Sequence, residues 1–443
     1  MSGNCWMPSQ PIKKQQEYIE KRLKMKQLLS GVRVLDLSRF VAGPFGTMIL
    51  GDLGAEIIKI EVPGGDETRM VPGPKLNGES FDFMSRNRNK KSVSLDLKTP
   101  LGKQAFIDLV RISDVVWDNY RVGAIERLGA DYDSVKKINP RIISCSVTGY
   151  GPTGPYRDAP SYDSIIYGLS GLMSLTGHPG GPPVKPGPAF CDMIPSMYAV
   201  IGVLAALLER AQTGAGKRIE ISMLDAAISM LAQYVPFYFM GGGIPRAMGS
   251  GHIASVPHGA YPTKDGYVVI GPCWPRIAKV LGAPELMDDP RFATRESRVT
   301  NRVVLDSLLS DLFRKANTAD WVELLHVEDI GAAPLNNVEQ ALHDPQVVHD
   351  KIILNVQHVL GGEVKLAGSP IRIPGDTEKP DMSPPLVGQH TDDVLGGLLN
   401  YSGATIQKLK KEQQEHAEEL DGHIHKVFSK LEQPQSESSG APK

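Results

Sequence analysis

The acidic residue whose position most suggests chemistry is Asp192, in the segment PAFCDMIPS. It stands between a loop rich in proline and glycine, residues 177–188, and an apolar helix pattern that begins near Ile194. A carboxylate at such a junction accepts hydrogen bonds from free backbone N–H groups and feels the positive end of the helix dipole, and both effects keep it ionised. An ionised carboxylate held in this way can act as a nucleophile. The alternative is a plain N-cap that only stabilises the helix, and position alone favours that alternative.

Basic residues at two places in the chain could bind an anion. Lys98 follows the strand pattern SVSLDL and Arg127 lies in AIERLG. Each could meet a phosphate, although an isolated surface cation is more often simply solvated. Arg246 and His252 lie on the glycine-rich segment 241–252 and could hold a substrate carboxylate. Because glycine permits large changes of φ and ψ, this segment is expected to be either a mobile lid or an interdomain linker.

Short segments rich in β-branched residues alternate with helix patterns through the first half of the chain. Strands are predicted for VRVLDLS, EIIKIEV, DVVWDNY and RIISCSVTG, and helices for 101–112 and 193–212. This alternation is typical of βαβ units and predicts an α/β fold with a parallel, doubly wound sheet. A second unit is predicted to open with a hairpin at 260–270, followed by helices at 302–315 and 318–327.

Composition and generic motifs narrow the class of protein without naming a reaction. The chain has no P-loop, no G-x-G-x-x-G after the first strand, no G-x-S-x-G elbow and no H-E-x-x-H. Its 48 Lys and Arg residues nearly balance 50 Asp and Glu residues, which argues against nucleic acid or an anionic membrane as a partner. Four widely spaced cysteines indicate neither a disulfide framework nor a zinc site. With no signal-peptide pattern and no long apolar run, the sequence predicts a cytoplasmic protein.

Seven segments together resemble the class III CoA-transferase family, which includes formyl-CoA:oxalate, carnitine, benzylsuccinate and succinate–hydroxymethylglutarate CoA-transferases. They occur in family order over roughly residues 30–400. The segments are GVRVLDLSRFVAGPFGTMILGDLGAEIIKIE (31–61), SRNRNKKSVSLDLKTPLG (85–102), DNYRVGAIERLG (118–129), NPRIISCSVTGYGPTGPY (139–156), the Asp192 region running to LLERAQTGAGKRIEISMLDA (207–226), PHGAYPTKDGY (257–267) and PPLVGQHTDDVL (384–395).

The resemblance implies that Asp192 is the family's nucleophilic aspartate. In that family the aspartate attacks an acyl-CoA thioester, and the reaction proceeds through an acyl–aspartyl anhydride and an aspartyl–CoA thioester. Coenzyme A is then a substrate, and no metal or permanently bound cofactor is implied. Matched position by position, the implied CoA contacts are Val41, Ala42, Leu95, Asp96, Leu97, Lys98, Asn119, Tyr120, Arg121, Arg127, Ala159, Pro160, Ser161 and Tyr162.

The resemblance also implies a Rossmann-like large domain, a smaller inserted α+β domain, and two subunits interlocked like linked rings, as a homo- or heteromeric dimer. The expected layout has six parts. They are an N-terminal extension at 1–29, the large domain at 30–235 completed by 380–403, a Gly-rich linker or lid at 236–256, the small domain at 257–365, a return linker at 366–379, and a charged helix with a disordered tail at 404–443.

The segments TGYGPTGPY and SGLM look closest to family members that use succinyl-CoA with a dicarboxylic acid, such as a substituted succinate or glutarate. Arg246 or His252 would then pair with the distal carboxylate. One alternative is a 2-methylacyl-CoA racemase, which shares the fold but moves an α-proton with a His/Asp pair. Here Tyr162 stands at the place of that histidine, and tyrosine is a poor base near neutral pH. A second alternative is a non-catalytic subunit of a heteromeric transferase, against which the presence of Asp192 argues.

Overall fold

The computed structural model describes residues 27–373 and 382–431, with side chains described as far as Glu419. The predicted extension at 1–29, the return linker at 366–379 and the tail at 404–443 therefore lie partly outside the described residues. The strands are β1 Arg33–Asp36, β2 Glu56–Glu61, β3 Lys75–Leu76, β4 Glu79–Ser80, β5 Lys90–Ser94, β6 Val115–Asp118, β7 Ile143–Thr148, β8 Arg218–Ser222, β9 Gly259–Pro262, β10 Tyr267–Ile270, β11 Ala332–Pro334, β12 Ile353–Gln357 and β13 Glu363–Ala367.

The helices range from single turns to the 29 residues of the last one. They are α1 Pro44–Asp52, α2 Phe81–Met84, α3 Pro100–Arg111, α4 Ala124–Leu128, α5 Tyr132–Ile138, α6 Asp163–Leu169, α7 Leu172–Leu175, α8 Phe190–Thr213, α9 Met223–Ser229, α10 Tyr234–Phe237, α11 Arg276–Val280, α12 Arg295–Thr300, α13 Arg302–Phe313, α14 Thr318–Val327, α15 Val338–Leu342, α16 Pro345–Asp350, α17 Thr391–Leu399 and α18 Gly403–Leu431. Glu67–Met70 and Pro284–Met287 form 3₁₀ turns, and Tyr238–Gly242 forms a π-turn.

Six strands form one sheet in the order β5-β2-β1-β6-β7-β8. Every neighbouring pair is parallel, and Val34 of β1 lies opposite Ile57 on one side and Val115 on the other. The chain moves outward from β1 to β2 and β5, then begins again at β6 and moves outward in the other direction. The sheet is therefore doubly wound, with its switch point between β1 and β6. The predicted α/β fold is confirmed.

The core around this sheet forms because the central strands carry apolar residues on both faces, as buried parallel strands do. Leu35, Ile58, Val93 and Val116 are buried together with Phe106 of α3. Each such side chain contributes roughly 1.5–3 kcal/mol through removal of its apolar surface from water. Helices α17 and α18 complete the same core with Val394, Leu395, Ile406 and Leu409.

Helix α8 packs against β7, β8, α1 and α9. Its sequence predicts a helix over 193–212, and the structure confirms the element with a start three residues earlier. Among the described residues it is the one helix long and apolar enough to cross a membrane by length and composition. Its packing on the sheet identifies it as a core helix, although Met197, Ile201 and Leu208 on another face are exposed.

Two compact units emerge from the contacts within the chain. Unit 1 comprises Met1–Ile166, Ala189–Ser229 and Leu354–Lys443, and unit 2 comprises Tyr167–Pro188 and Met230–Ile353. Unit 2 contains the antiparallel sheet β11-β10-β9 and a core that includes Phe292, Leu305, Leu309 and Phe313. The predicted hairpin at 260–270 and the helices that follow it are confirmed. The predicted boundaries of a small domain at 257–365 and of a linker or lid at 236–256 stay predictions.

Candidate active site

The predicted CoA contacts follow the carboxyl ends of four parallel strands. Val41 and Ala42 come after β1, Leu95–Lys98 after β5, Asn119–Arg121 after β6, and Ala159–Tyr162 in the longer connection after β7. Carboxyl ends of parallel strands meet at one edge of a sheet, and ligands of doubly wound folds bind in the crevice at the switch point. Here β1 and β6 flank that point.

The turn between β1 and α1 is held by buried charges. Asp36 accepts hydrogen bonds from Ser38 and from the Thr47 hydroxyl, and the Lys59 ammonium donates to the Ser38 carbonyl at 2.8 Å. Burial alone would raise the pKa of Asp36, but Lys90, Lys59 and the two hydroxyl donors lower it to about 2. The carboxylate is therefore ionised at any physiological pH. These buried charges stabilise the turn that contains Val41 and Ala42, the first two predicted CoA contacts along the chain.

Glycine is required at one position of this turn. A Cβ on Gly43 would lie 2.0 Å from Cβ of Ser38 and 3.2 Å from the side chain of Asn119. The turn also holds Phe40 at a φ of 60°, in the left-handed region that non-glycine residues seldom occupy. Strained backbone of this kind persists only where the surroundings enforce it, and it clusters at functional sites.

Asp192 is the third residue of α8 and not its N-cap. The N-cap is Ala189, which has no side-chain capping bond, so the interpretation of Asp192 as a plain N-cap is wrong. Its carboxylate lies in the first turn, where the positive end of the helix dipole favours an anion. One turn later, the Ser196 hydroxyl donates both to the Asp192 carbonyl, at 2.9 Å, and to the Ala42 carbonyl. Ser196 thereby ties the helix turn that carries Asp192 to a predicted CoA contact.

A second contact joins the start of α8 to the connection after β7. The backbone N–H of Cys191 donates to Oδ1 of Asp163 at 3.0 Å, and Asp163 directly follows the predicted contact Tyr162. Asp163 therefore satisfies one of the N–H groups that a helix leaves unpaired at its first turn. Two predicted CoA segments, at 41–42 and 159–162, thus converge on the turn that carries Asp192. Ser196 gave no recognisable signal in the sequence, because it acts through a partner far along the chain. For Asp163 the sequence indicates only a cap at the helix that starts there.

Asn119 joins the loop after β6 to the turn after β1. Its amide accepts from the backbone N–H of Arg39 at 2.8 Å and donates to the Arg39 carbonyl at 2.7 Å. The Arg39 guanidinium lies over the Tyr120 ring at 4.8 Å and pairs with Glu67. The side chain of Asn119 is thus engaged with backbone and holds the turn after β1 in place.

The segment Leu95–Lys98 exposes one of its four side chains. Leu95 and Leu97 are buried in the core and Asp96 is 9% exposed. Asp96 accepts from the Lys98 backbone N–H at 2.9 Å and contacts Nδ1 of His416 at 2.6 Å. Helix α18 therefore contacts this segment through His416. Of the four side chains of the segment, that of Lys98 is the exposed one.

Three cations border these loops without an ion-pair partner in the part of the chain that the structure describes. They are Lys98, Arg121 and Arg127, and all three are exposed. Across residues 27–373 and 382–419, most other arginines of unit 1 contact a carboxylate, as Arg69 does with Glu61 and Arg88 with Asp52. Cations without a carboxylate partner are available to phosphate groups.

Asp118, at the end of β6, is a buried acid that the sequence did not single out. It accepts from the backbone N–H of Tyr120 at 3.0 Å and from the Ser146 hydroxyl at 3.1 Å. Burial raises its pKa to about 7, and the two hydrogen bonds offset only part of that effect. Asp118 lines a cleft with Ser144, Arg218 and Glu220, among others.

Unit 2 carries the two residues predicted to hold a carboxylate. Arg246 is exposed. His252 stacks on His258, with ring centroids 4.9 Å apart and ring planes 9° from parallel. Arg302 donates to the His252 carbonyl. His258 and Arg302 were not among the candidate residues that the sequence indicated. Among the described residues, no group of three or more His, Cys, Asp or Glu side chains is placed to hold a metal ion.

Comparison with known proteins identifies a family that the chain matches over most of its length. The sequence profile of CoA-transferase family III matches residues 29–391. The chain is similar to the succinyl-CoA:glutarate CoA-transferase of Mus musculus, at 40% identity over 86% of this chain and 88% of the mouse protein, and to that of Homo sapiens, at 37% identity over the same shares. Among solved structures, a CAIB/BAIF family protein from Brucella suis matches with a TM-score of 0.76 and 35% identity, over 84% of this chain and 99% of that one.

Proposed function

The chain belongs to CoA-transferase family III, and we propose that it moves coenzyme A from succinyl-CoA to glutarate or a closely related dicarboxylic acid, with Asp192 as the nucleophile. The enzyme class follows from the family. The substrates follow from the similarity to the two mammalian succinyl-CoA:glutarate CoA-transferases. The observation that carries the role of Asp192 is its position in the first turn of α8, which Ser196 and Asp163 tie to the loops at the carboxyl edge of the sheet.

The proposed reaction conserves the thioester and needs no added energy source. The Asp192 carboxylate attacks the succinyl-CoA carbonyl, which breaks the C–S bond and gives a succinyl–aspartyl anhydride and CoA thiolate. The thiolate attacks the aspartyl carbonyl, which releases succinate and leaves an aspartyl–CoA thioester. A glutarate carboxylate displaces the thiolate to form a glutaryl–aspartyl anhydride. The thiolate then attacks the glutaryl carbonyl, which yields glutaryl-CoA and restores the Asp192 carboxylate.

The structure offers two of the conditions that this chemistry needs. The helix dipole at the first turn of α8 favours the ionised, nucleophilic form of Asp192. Backbone N–H groups at such a turn can also stabilise the oxyanions that develop as each carbonyl is attacked. The anhydrides would be destroyed by water, so the site must close around the bound substrate. Segment 236–256 is proposed as the lid, in keeping with its glycine content.

The proposed CoA site uses the loops after β1, β5, β6 and β7. Lys98, Arg121 and Arg127 would meet the phosphates of CoA, because they are exposed cations with no ion-pair partner among the described residues. The rest of the CoA molecule would contact Val41, Ala42 and the backbone of 95–98. The thioester end of CoA would lie next to Ala159–Tyr162. Asn119 would position the turn at 39–43.

We also propose that the active protein is a dimer. Helix α8 presents an apolar stripe at Met197, Ile201, Leu204 and Leu208, in which Ile201 is 61% and Leu208 72% exposed. Residues spaced by three and four positions lie on one side of a helix. Such a stripe on a helix that is otherwise part of a core marks a surface that another protein surface covers. A second copy of this chain is the proposed partner.

The first experiment mixes the purified protein with succinyl-CoA and a panel of mono- and dicarboxylic acids, and detects new acyl-CoA species by mass spectrometry. We expect glutaryl-CoA from the wild type. The Asp192→Asn variant, which keeps the size of the side chain, should form none. The matched control is Asp225→Asn, an exposed aspartate in the first turn of α9, and it should retain activity.

Each part of the proposal can fail separately. Glutaryl-CoA formed at the wild-type rate by Asp192→Asn would exclude Asp192 as the nucleophile. No new thioester from any acid would contradict the proposed substrates. Incubation with succinyl-CoA alone should leave CoA covalently attached to the peptide that contains Asp192, and peptide mapping would locate it.

A further inference from the structure

Lys90, the first residue of β5, is fully buried and contacts the turn that joins β1 to α1. Its ammonium group donates three hydrogen bonds, to Oδ2 of Asp36 at 2.9 Å, to the Pro44 carbonyl at 2.9 Å and to Oδ1 of Asn87 at 3.0 Å. A lysine ammonium has three N–H donors and no acceptor. These three acceptors therefore use every donor that protonated Lys90 has.

Two of the three bonds reach opposite ends of this turn. Asp36 is the last residue of β1, and Pro44 is the first residue of α1. Between them lie Val41 and Ala42, two of the predicted CoA contacts. Lys90 thereby holds the two ends of the turn in a fixed relation to each other.

Two carboxylates and a second lysine face Lys90. They are Asp36 of β1, Asp66 in the segment after β2, and Lys59 of β2. Lys59 pairs with Asp66 at 3.0 Å, and Lys90 pairs with Asp36. The side chains of both pairs are at most 1% exposed. Removing one charge of such a buried pair leaves the other without compensation, so each pair depends on both of its members.

The two buried lysines hold their protons with different strength. Burial by itself lowers the pKa of both, because it disfavours the charged form. For Lys59 the nearby carboxylates outweigh burial and raise the pKa. For Lys90, burial and the repulsion from Lys59 prevail over the attraction of Asp36 and Asp66, and the pKa falls to about 8. Lys90 is therefore the lysine of this cluster that loses its proton first as the pH rises.

Loss of that proton would disturb the turn. A neutral amine has two N–H donors and one lone pair, so it cannot serve three oxygen acceptors. One of the three oxygens would then face a lone pair in the protein interior, and an unpaired buried acceptor is costly. The Asp36 carboxylate would also lose the positive charge with which it pairs.

We propose that Lys90 is a positioning residue for acyl-CoA: its ammonium group holds the turn at 37–43 in the conformation that binds coenzyme A, and loss of its proton loosens the turn. This assignment rests on the CoA site of the proposed function, in which Val41 and Ala42 contact CoA. Because Lys90 is buried, it acts through the turn and not by contact with the ligand. The affinity for CoA therefore falls as the pH rises and Lys90 becomes neutral.

The test measures Kd by isothermal titration calorimetry from pH 7 to 9.5. The ligand is S-methyl-CoA, a thioether that cannot react and has no thiol to ionise. With a pKa of about 8, about one tenth of Lys90 is protonated at pH 9, so Kd should be about tenfold higher there than at pH 7. Lys98→Ala, which removes a proposed phosphate contact, should weaken binding at every pH and keep this dependence.

Two variants change the charge around the Lys90 ammonium, and a third is the control. Asn87→Asp puts a carboxylate where an amide oxygen now accepts from Lys90, so the loss of affinity should move to higher pH by about one unit or more. Asp36→Asn combined with Lys90→Gln removes both charges of the pair, and this double variant should bind weakly at every pH. Lys91→Gln should bind as wild type does, because Lys91 pairs with Glu56 instead.

The outcomes separate this assignment from the proposed function. A wild-type Kd that is constant from pH 7 to 9.5, or a dependence that Asn87→Asp leaves in place, overturns the role of Lys90 and leaves the transfer of CoA intact. A folded double variant with the wild-type Kd at pH 7 overturns it as well. Wild-type protein that transfers CoA to no acid contradicts the proposed substrates, and the binding of S-methyl-CoA then still decides the role of Lys90.

Discussion

At the scale of single residues, Asp118 links burial to a pH-dependent stability. Its pKa of about 7 in the folded protein exceeds the value of about 4 for an aspartate in an unfolded chain. Between these values the folded protein holds a proton that the unfolded chain has released. Raising the pH from about 4 through 7 therefore lowers the free energy of unfolding, and the loss is complete about one pH unit above 7.

Replacing Asp118 with asparagine should remove this dependence. The neutral amide resembles the protonated acid, so Asp118→Asn should unfold at about the same denaturant concentration as wild type near pH 4. Its free energy of unfolding should exceed that of the wild type by an amount that grows up to pH 8. The difference should reach at most about 4 kcal/mol, the value for a shift of three pKa units. Urea unfolding at a series of pH values measures the difference. A difference that is constant from pH 4 to 8 would mean that Asp118 does not titrate in this range.

Lys98 is expected to act on the binding of acyl-CoA and little on the chemical step. Its side chain is exposed, and its loss should remove one charge-assisted contact to a CoA phosphate. We expect Lys98→Ala to raise KM for succinyl-CoA about tenfold with kcat nearly unchanged. Steady-state kinetics checks this against Lys279→Ala, an exposed lysine of unit 2. Equal KM values in the two variants would remove Lys98 from the proposed CoA site.

Residue patterns in the sequence located Asp192 but not its surroundings. The pattern predicts a helix start near Ile194, because Pro195 is typical of a first turn and the apolar face follows it. The structure starts α8 at Phe190, which moves Asp192 from the cap into the first turn. Its connection to Ala42 runs through Ser196, across 154 positions of sequence. No local pattern encodes a contact of that separation.

At the scale of elements, α18 has a role at the loop after β5. The backbone N–H of Asp96 donates to Oε1 of buried Gln413 at 2.7 Å, and that of Leu101 donates to Glu412 at 2.9 Å. The profile match of the family ends at residue 391, before this helix begins. A helix outside the matched region therefore supports the segment 95–98 that is proposed to contact CoA.

Shortening Gln413 should loosen that segment. Gln413→Ala leaves the buried N–H of Asp96 without its acceptor, which costs about 1–3 kcal/mol. We expect a higher KM for succinyl-CoA at little change in kcat. The neighbouring Gln414→Ala is a matched control, because Gln414 is exposed and the hydrogen bond of its side chain within the described residues goes to Glu418 of the same helix. If both variants bind succinyl-CoA as wild type does, α18 has no part in shaping the loop.

The burial of a strand decided whether its sequence predicted it. Strands β1, β2, β6 and β7 are short apolar runs because both of their faces are covered, and all four were predicted. Strand β8 was missed. Its sequence RIEIS alternates charged and apolar residues, since it lies at the edge of the sheet and is half exposed. Strands β12 and β13 pair only with each other and were missed for a similar reason.

At the scale of the whole molecule, the apolar stripe on α8 leads to a prediction about assembly. Leu208→Asp would place a charge in the proposed interface, so we expect the wild type to sediment as a dimer and this variant as a monomer. Val303→Asp is the control, because Val303 is 81% exposed and lies outside the stripe. Analytical ultracentrifugation distinguishes the species. A wild-type protein that is monomeric at micromolar concentration would contradict the proposed dimer.

The docking of α17 on strand β5 has a consequence for the order in which the protein can fold during synthesis. The backbone N–H groups of Ser92 and Ser94 in β5 donate hydrogen bonds to the side chains of His390 and Thr391. These partners come nearly three hundred residues later in the chain. While a ribosome makes the intervening chain, the core around Leu95 lacks Val394, Leu395 and Leu409. Residues 230–353 form most of unit 2 as one continuous stretch and can fold in the meantime. A nascent chain would therefore keep an open sheet edge through most of its translation, a stage at which chaperones protect such edges.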